Sequence, residues 1–135
     1  MIKGVQLGKE IVVVVANKAG VLADMSRIIT DSRANIEAVA GYAVGSEAKI
    51  MLVTDDNSRV AGVLKKAGYA SLKEGSVILV DLENKIGALN DVTAKLAAER
   101  IDIKYIYGAV CSAGCPSRIV ISSDNNEKAV AALKK

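Results

Sequence analysis

Ile11-Val-Val-Val-Val-Ala-Asn17-Lys18-Ala-Gly20-Val21-Leu22 is echoed further along the chain by Ile78-Leu-Val-Asp-Leu-Glu-Asn84-Lys85-Ile-Gly87-Ala88-Leu89. The offset of 67 (11 to 78) also aligns Asp24 with Asp91, Arg33 with Arg100, Ile36 with Ile103 and Gly41 with Gly108. With Ile11/Ile78, Val13/Val80, Asn17/Asn84, Lys18/Lys85, Gly20/Gly87 and Leu22/Leu89, ten positions between 11 and 42 are identical. Ordinary residue usage would supply roughly two by chance. Past this stretch the offset becomes 69, because the second copy carries an insertion around Cys111–Pro116; Asp55/Asp124, Asn57/Asn126, Leu64/Leu133 and Lys65/Lys134 then coincide. The chain is an internal duplication, and a repeat of this length is one supersecondary unit used twice.

Each copy has the same order of periodicities. Glu10–Ala16 is a β-branched run of strand length, broken by Asn17-Lys18-Ala19-Gly20. Val21, Leu22, Met25, Ile28 and Ile29 then share one helical face. Asn35–Ala43 and Ala48–Thr54 read as a hairpin about Val44-Gly45-Ser46-Glu47. Asp55-Asp56-Asn57-Ser58 offers N-cap chemistry to a helix with Val60, Val63, Leu64 and Ala67 on its buried stripe, ended by Gly68. Tyr69–Lys73 is a fourth strand, and Glu74-Gly75-Ser76 a linker. The second copy repeats this with Val77–Leu82, Ala88–Glu99, Ile101–Gly108, Ser117–Ser123 and Glu127–Lys135, but stops before a fourth strand. The pattern predicts two α+β, ferredoxin-like βαββαβ sandwiches, over 1–75 and 76–135, the second lacking its final strand. The unassigned Ile2–Leu7 is a candidate to fill that edge. Ile11–Val15 is apolar at every position, so both faces of that strand call for cover, from the sister domain or a second subunit.

Composition removes whole classes of chemistry. The chain has 135 residues, 51% of them hydrophobic, with four Tyr, no Phe, no Trp and no His. Without histidine, Ser–His triads, His-based acid–base catalysis and His metal sites are excluded. The net charge of +3 comes from interspersed cations and anions, a solvated surface rather than a nucleic-acid stripe. No stretch is long and apolar enough for a membrane span, and the N-terminus lacks a leader pattern, so the expected location is cytoplasmic. Cys111 and Cys115 are too few for a structural metal site and are separated by three residues, not the two of thioredoxin-type motifs; they read as reduced loop thiols. Asp24 and Asp91 sit early in a helix, where they complement its dipole. The sequence implies no catalytic residue, metal ligand or cofactor.

What the two copies both keep is the strand-to-helix turn. Gly20 and Gly87 allow close approach of backbone or ligand. Val21-Leu22 and Ala88-Leu89 bring unpaired N–H groups at a helix start, suited to a carboxylate. Asn17 and Asn84 can both donate and accept, so either could read a carboxylate or an ammonium. These parts suit a free α-amino acid, while Asn as helix cap and Gly as turn former is the purely structural account.

At these residues the chain resembles the tandem ACT-domain proteins, stand-alone regulatory modules with two amino-acid-binding domains. The resemblance runs from about residue 10 to the end, and is carried by Ile11–Leu22, Val77–Leu89, Ala34-Asn35-Ile36, Ile101-Asp102-Ile103 and Ile103-Lys-Tyr105-Ile-Tyr107. It implies domains paired edge to edge into extended antiparallel sheets, and a non-catalytic sensor binding a free amino acid at domain interfaces. The implied ligand-binding residues are Asn17, Gly20, Val21, Leu22, Asn84, Gly87, Ala88 and Leu89. The expected partners are an amino acid, a second copy in a homodimer and a metabolic enzyme, with no nucleic acid and no membrane. Two departures stand out: Ala19 and Ile86 replace the family's usual Pro, and Asn replaces its usual acidic residue at both turns. The alternative is a ligand-free subunit that dimerises and binds an enzyme. An RNA-recognition motif shares the strand order, but Ala48–Thr54 and Ser117–Ser123 lack the aromatic residues it stacks on bases.

Overall fold

A computed structural model describes all residues from 1 to 135. Its elements are β1 (Ile2–Ala16), α1 (Val21–Asp31), β2 (Ile36–Val44), β3 (Glu47–Thr54), α2 (Asn57–Lys66), β4 (Leu72–Leu82), α3 (Ala88–Ala98), β5 (Ile103–Gly108), β6 (Ser117–Ser123) and α4 (Asn126–Leu133). The chain forms two compact units, Lys9–Gly75 and Met1–Gly8 with Ser76–Lys135. The strands β1 and β4 each give one segment to each unit.

In the first unit the strand order is β2-β3-β1-β4. The antiparallel β1–β3 ladder sets Ile11 opposite Leu52 and Val13 opposite Ile50. Alternation sends Ile11, Val13, Val15, Ile50 and Leu52 to one face, where Val21, Met25 and Ile29 of α1 and Val60 and Leu64 of α2 close the core. Both helices therefore cover one side of the sheet, the ferredoxin-like arrangement that the repeat predicts. Val12 and Val14, on the opposite face, are half-buried.

The second unit has the order β1-β4-β6-β5, with the Ile2–Gly8 half of β1 as its edge strand. The Glu83 N–H donates to the Met1 carbonyl at 2.9 Å, and Ile2 and Val5 pack against a core that includes Ile78, Val80, Leu82, Val92, Leu96 and Ile121. The N-terminal segment thus occupies the place of the missing fourth strand, and Met1–Gly8 groups with the second copy rather than with residues 9–75. The physical reason is the open edge of β4. Its backbone groups need a ladder partner, and the Ile2–Gly8 half of β1 supplies it.

Two further expectations change. Glu74-Gly75-Ser76 is no linker, because β4 runs unbroken through it; ladder pairing overrides the weak strand preference of Gly and Ser. Tyr69 precedes the strand instead of opening it. Its N–H donates to the Leu64 carbonyl at the end of α2, and its hydroxyl donates to Asp24 Oδ2 at 2.5 Å.

Two pairs of repeated polar residues hold the fold in both copies. Arg33 and Arg100 both take positive φ (66° and 56°) just past a helix end, the left-handed C-terminal stop that leaves little choice of direction for the chain. Asn57 accepts from the Thr54 hydroxyl at 2.6 Å and donates to the Lys9 carbonyl at 3.0 Å. Its repeat mate Asn126 accepts from the Ser123 hydroxyl at 2.7 Å and donates to the Ser76 carbonyl at 2.9 Å. Each is a latch between the end of one strand and the middle of another; the helix caps are Asp56 and Asn125.

Asp24 joins α1 to the segment after α2. The Tyr69 hydroxyl first, and then Arg27 at 2.8 Å, hold its carboxyl below the ordinary aspartate value of 3.8. A carboxylate favoured by the fold contributes stability at neutral pH, and that contribution fades as pH falls from the unfolded value through the lowered folded one. Tyr69→Phe should therefore melt lower than the parent at pH 7, with the gap narrowing in acid melts below pH 3.8. A gap that held constant with pH would remove Asp24 from this account.

Candidate functional site

The two strand-to-helix turns share a backbone and differ in everything around it. Gly20 (φ 90°) and Gly87 (φ 88°) stand at the N-caps of α1 and α3 in the left-handed region, which any other residue would occupy with strain. Neither Asn17 nor Asn84 caps its helix, so the structural account of these asparagines as caps is set aside.

At the first turn the asparagine is committed. The Asn17 N–H donates to the Ser46 carbonyl at 2.9 Å, and its side-chain amide donates to the Gly45 carbonyl at 3.0 Å. Gly45 and Ser46 form the two-residue turn between β2 and β3, tight enough to reach back over the end of β1. Val21 is buried in the first core, and Leu22 is half exposed. The hairpin tip thus occupies the position beside the Asn17 amide.

At the second turn the insertion enlarges the corresponding hairpin to residues 109–116. Asn84 is exposed, and its side chain makes no bond equivalent to that of Asn17. The loop closes on itself: Gly114 (φ 89°) turns the chain back, Cys111 and Cys115 are joined as a disulfide with Cα atoms 5.6 Å apart, and the Cys111 N–H donates to Ser117 Oγ at 2.8 Å. The expectation of reduced thiols is corrected by this pairing, which the glycine turn makes possible by bringing the two Cα atoms within disulfide range. Between loop and turn lies a cleft of about 420 Å³, lined by Lys3, Glu83, Asn84, Lys85, Cys111 and Pro116 among others. Its volume falls within the usual range for small-molecule sites.

The cleft carries both signs of charge. Glu83 meets Lys85 at 2.8 Å, the Met1 amino group at 3.6 Å and Lys3 at 3.7 Å. The Lys85 hydrogen bond, with the charge of Lys3 behind it, holds the Glu83 carboxyl below its ordinary range, and Glu83 in turn raises Lys85. Asn84 adds an unengaged amide between these charged neighbours in sequence. Of the other expected residues, Gly87, Ala88 and Leu89 do not line this cleft. Ala88 is buried in the second core and its N–H already donates to the Lys85 carbonyl at 3.1 Å, while Leu89 is half exposed. Glu83 and Lys3 were missed from sequence. Glu83 flanks Asn84 and could have been noticed; Lys3 could not, since it arrives only through the placement of the N-terminal strand.

A duplicated βαββαβ sandwich with a glycine-headed strand-to-helix turn in each copy defines a tandem of ferredoxin-like domains. The family model for the ACT domain pair matches residues 6–134, and the chain belongs to that family, whose domains are regulatory. A crystal structure of a protein from Bacteroides thetaiotaomicron is similar at a TM-score of 0.88 and 22% identity, covering 96% of this chain and 88% of that one. The ligand-free regulatory subunit of aspartate kinase from Thermus thermophilus has a TM-score of 0.67 at 13% identity, over 98% and 96% of the two chains. A structure of aspartokinase alpha and beta subunits gives 0.67 at 19% identity over the same shares. At these identities the likeness is one of fold. No curated protein matches the sequence. No helix is long and apolar enough to cross a membrane.

Proposed function

We propose that this protein is a non-catalytic sensor that binds a free amino acid in the cleft beside Asn84 and thereby regulates amino-acid metabolism. The observation that carries the reading is the contrast between the two turns. The same asparagine is tied down by its hairpin in one copy and left free, beside a cleft with a carboxylate and two lysines, in the other. An α-amino acid presents an ammonium and a carboxylate, which Glu83 and the pair Lys3 and Lys85 complement, with Asn84 reading either group. The family supports a regulatory role, and two of its structural relatives are regulatory or paired subunits of aspartate kinases.

The test is a melting series against the twenty amino acids at millimolar concentration. A ligand at a hundred times its Kd stabilises the folded state by about 2.7 kcal/mol, which raises the melting temperature of a chain of this size by about 5–10 °C. Asn84→Ala should weaken that ligand about 10-fold or more, the loss of one hydrogen bond to a charged group, and leave the ligand-free melt nearly unchanged. Asn17→Ala should do the reverse, lowering the ligand-free melt. A flat response to all twenty would defeat the sensor reading.

One observation favours the second reading, a subunit that dimerises or docks on an enzyme. On the sheet face of the first unit away from its helices, Val12 and Val14 are half-buried, while Tyr42 (51%) and Val44 (72%) stay exposed on the β2 edge. Such a surface suits a second copy or an enzyme subunit. Light scattering at the mass of a single 14.1 kDa chain, together with a pull-down that recovers no enzyme, would dismiss it.

A further inference from the structure

The loop that opens the cleft also carries the only two cysteines of the chain. Their bond spans a sequence separation of four and links no distant elements. Stabilisation by a disulfide grows with the loop it closes, so a ring this small is a poor staple for the fold. No residue of the loop belongs to either hydrophobic core. Cys115 is exposed and Cys111 half-buried, so the Cys115 side of the bond is the one open to a soluble thiol. Lys3, Lys85 and Glu83 line the same cleft as both cysteines; the two cations exceed the one carboxylate they pair with, and an excess of positive charge favours the thiolate through which such bonds exchange. In the first copy the same position is a two-residue turn without cysteine, bonded to the Asn17 amide.

We propose that Cys111–Cys115 is a thiol–disulfide exchange site whose state sets the shape of the cleft beside Asn84, its reaction partner being a dithiol. A thiolate of the dithiol attacks Cys115 Sγ. The S–S bond breaks with its electron pair on Cys111 Sγ, which takes up a proton. The second thiol of the donor, once deprotonated, attacks the donor sulfur of the mixed disulfide and releases Cys115, which is protonated in turn. The protein gains two electrons and two protons, and the donor leaves as its own disulfide. With the ring opened, the chain from 109 to 116 loses its closure and the cleft loses its preformed wall. A binding site whose wall must be ordered by the ligand binds more weakly. The disulfide form is thus the binding-competent one.

Dithiothreitol serves as the dithiol, with thiol counting and amide hydrogen exchange as readouts. Treatment should raise the accessible thiols from none to two per chain. It should speed exchange in peptides covering 84–88 and 109–117 by about threefold or more, as local opening does, and leave the core strands β3 and β4 unchanged. The Cys111→Ser/Cys115→Ser double variant should show the fast pattern with or without dithiothreitol. Identical exchange in the two states, or two thiols that oxidised glutathione fails to close, would overturn the proposal. Neither readout involves an amino acid, so a flat amino-acid melting series and an insensitive loop are separate failures.

Discussion

Deletion of Ile2–Leu7 should lower the melting temperature by more than about 10 °C and release the ladder of β4 to rapid hydrogen exchange. The segment supplies the edge strand of the second unit, including the bond from Glu83 N–H to the Met1 carbonyl, and it places Ile2 and Val5 on the second core. Two half-buried aliphatic side chains contribute about 1 kcal/mol each. The backbone groups left without partners along β4 add a further loss of about 1 kcal/mol per bond. Set against a total stability of about 5–15 kcal/mol, that sum is a large fraction of what holds the unit together. A double Ile2→Ala/Val5→Ala variant keeps the ladder and should lose only the smaller, side-chain part. If the deleted protein melted like the parent, the edge-strand role of this segment would be gone. Prediction and observation meet here because a sheet edge is an accounting problem: the backbone groups along β4 need partners, and the Ile2–Gly8 half of β1 lies beside them.

Gly108→Ala should destabilise the protein by about 1–3 kcal/mol, the usual penalty for overpacking, whereas Gly41→Ala should cost clearly less. These are repeat mates on β5 and β2, each opposite an isoleucine on the neighbouring strand, Ile119 and Ile50. A Cβ on Gly108 would lie 2.7 Å from the Arg118 carbonyl oxygen and 3.1 Å from Ile119 Cα, both backbone, so the strands themselves must part. A Cβ on Gly41 would lie 2.9 Å from Ile50 Cδ1 and 3.4 Å from the Lys49 carbonyl oxygen, and a rotamer change of Ile50 relieves the closer contact. Urea unfolding of the two variants compares them directly. Equal losses would mean that the glycines are retained for a reason other than cross-strand clearance.

The identity of Gly41 and Gly108 was visible as a letter match, but its cause lies in a cross-strand distance that no periodicity carries. Asn57 and Asn126 behave likewise. They stand in a stretch rich in cap-forming residues, and only the fold shows that they latch Lys9 and Ser76 while Asp56 and Asn125 do the capping. The site divides along the same line. Asn17 and Asn84 are indistinguishable in their local sequence, Asn-Lys-x-Gly in both copies. Whether such an amide is used up or available depends on a hairpin tip 28 residues away in the case of Asn17.

The sequence by itself determined the duplication, the βαββαβ order, the helical faces that form each core and the absence of histidine chemistry. These follow from local periodicity and composition, which survive without knowledge of distant contacts. Tertiary structure alone decided that β4 runs through the apparent linker and that Asn17 is bound by its hairpin while Asn84 faces a cleft; it also placed the N-terminal strand, which the sequence offers only as a candidate, on the edge of the second unit. Each of these depends on hydrogen-bonding groups far apart in the chain satisfying one another, and a strand edge or a free amide is defined by what reaches it in space.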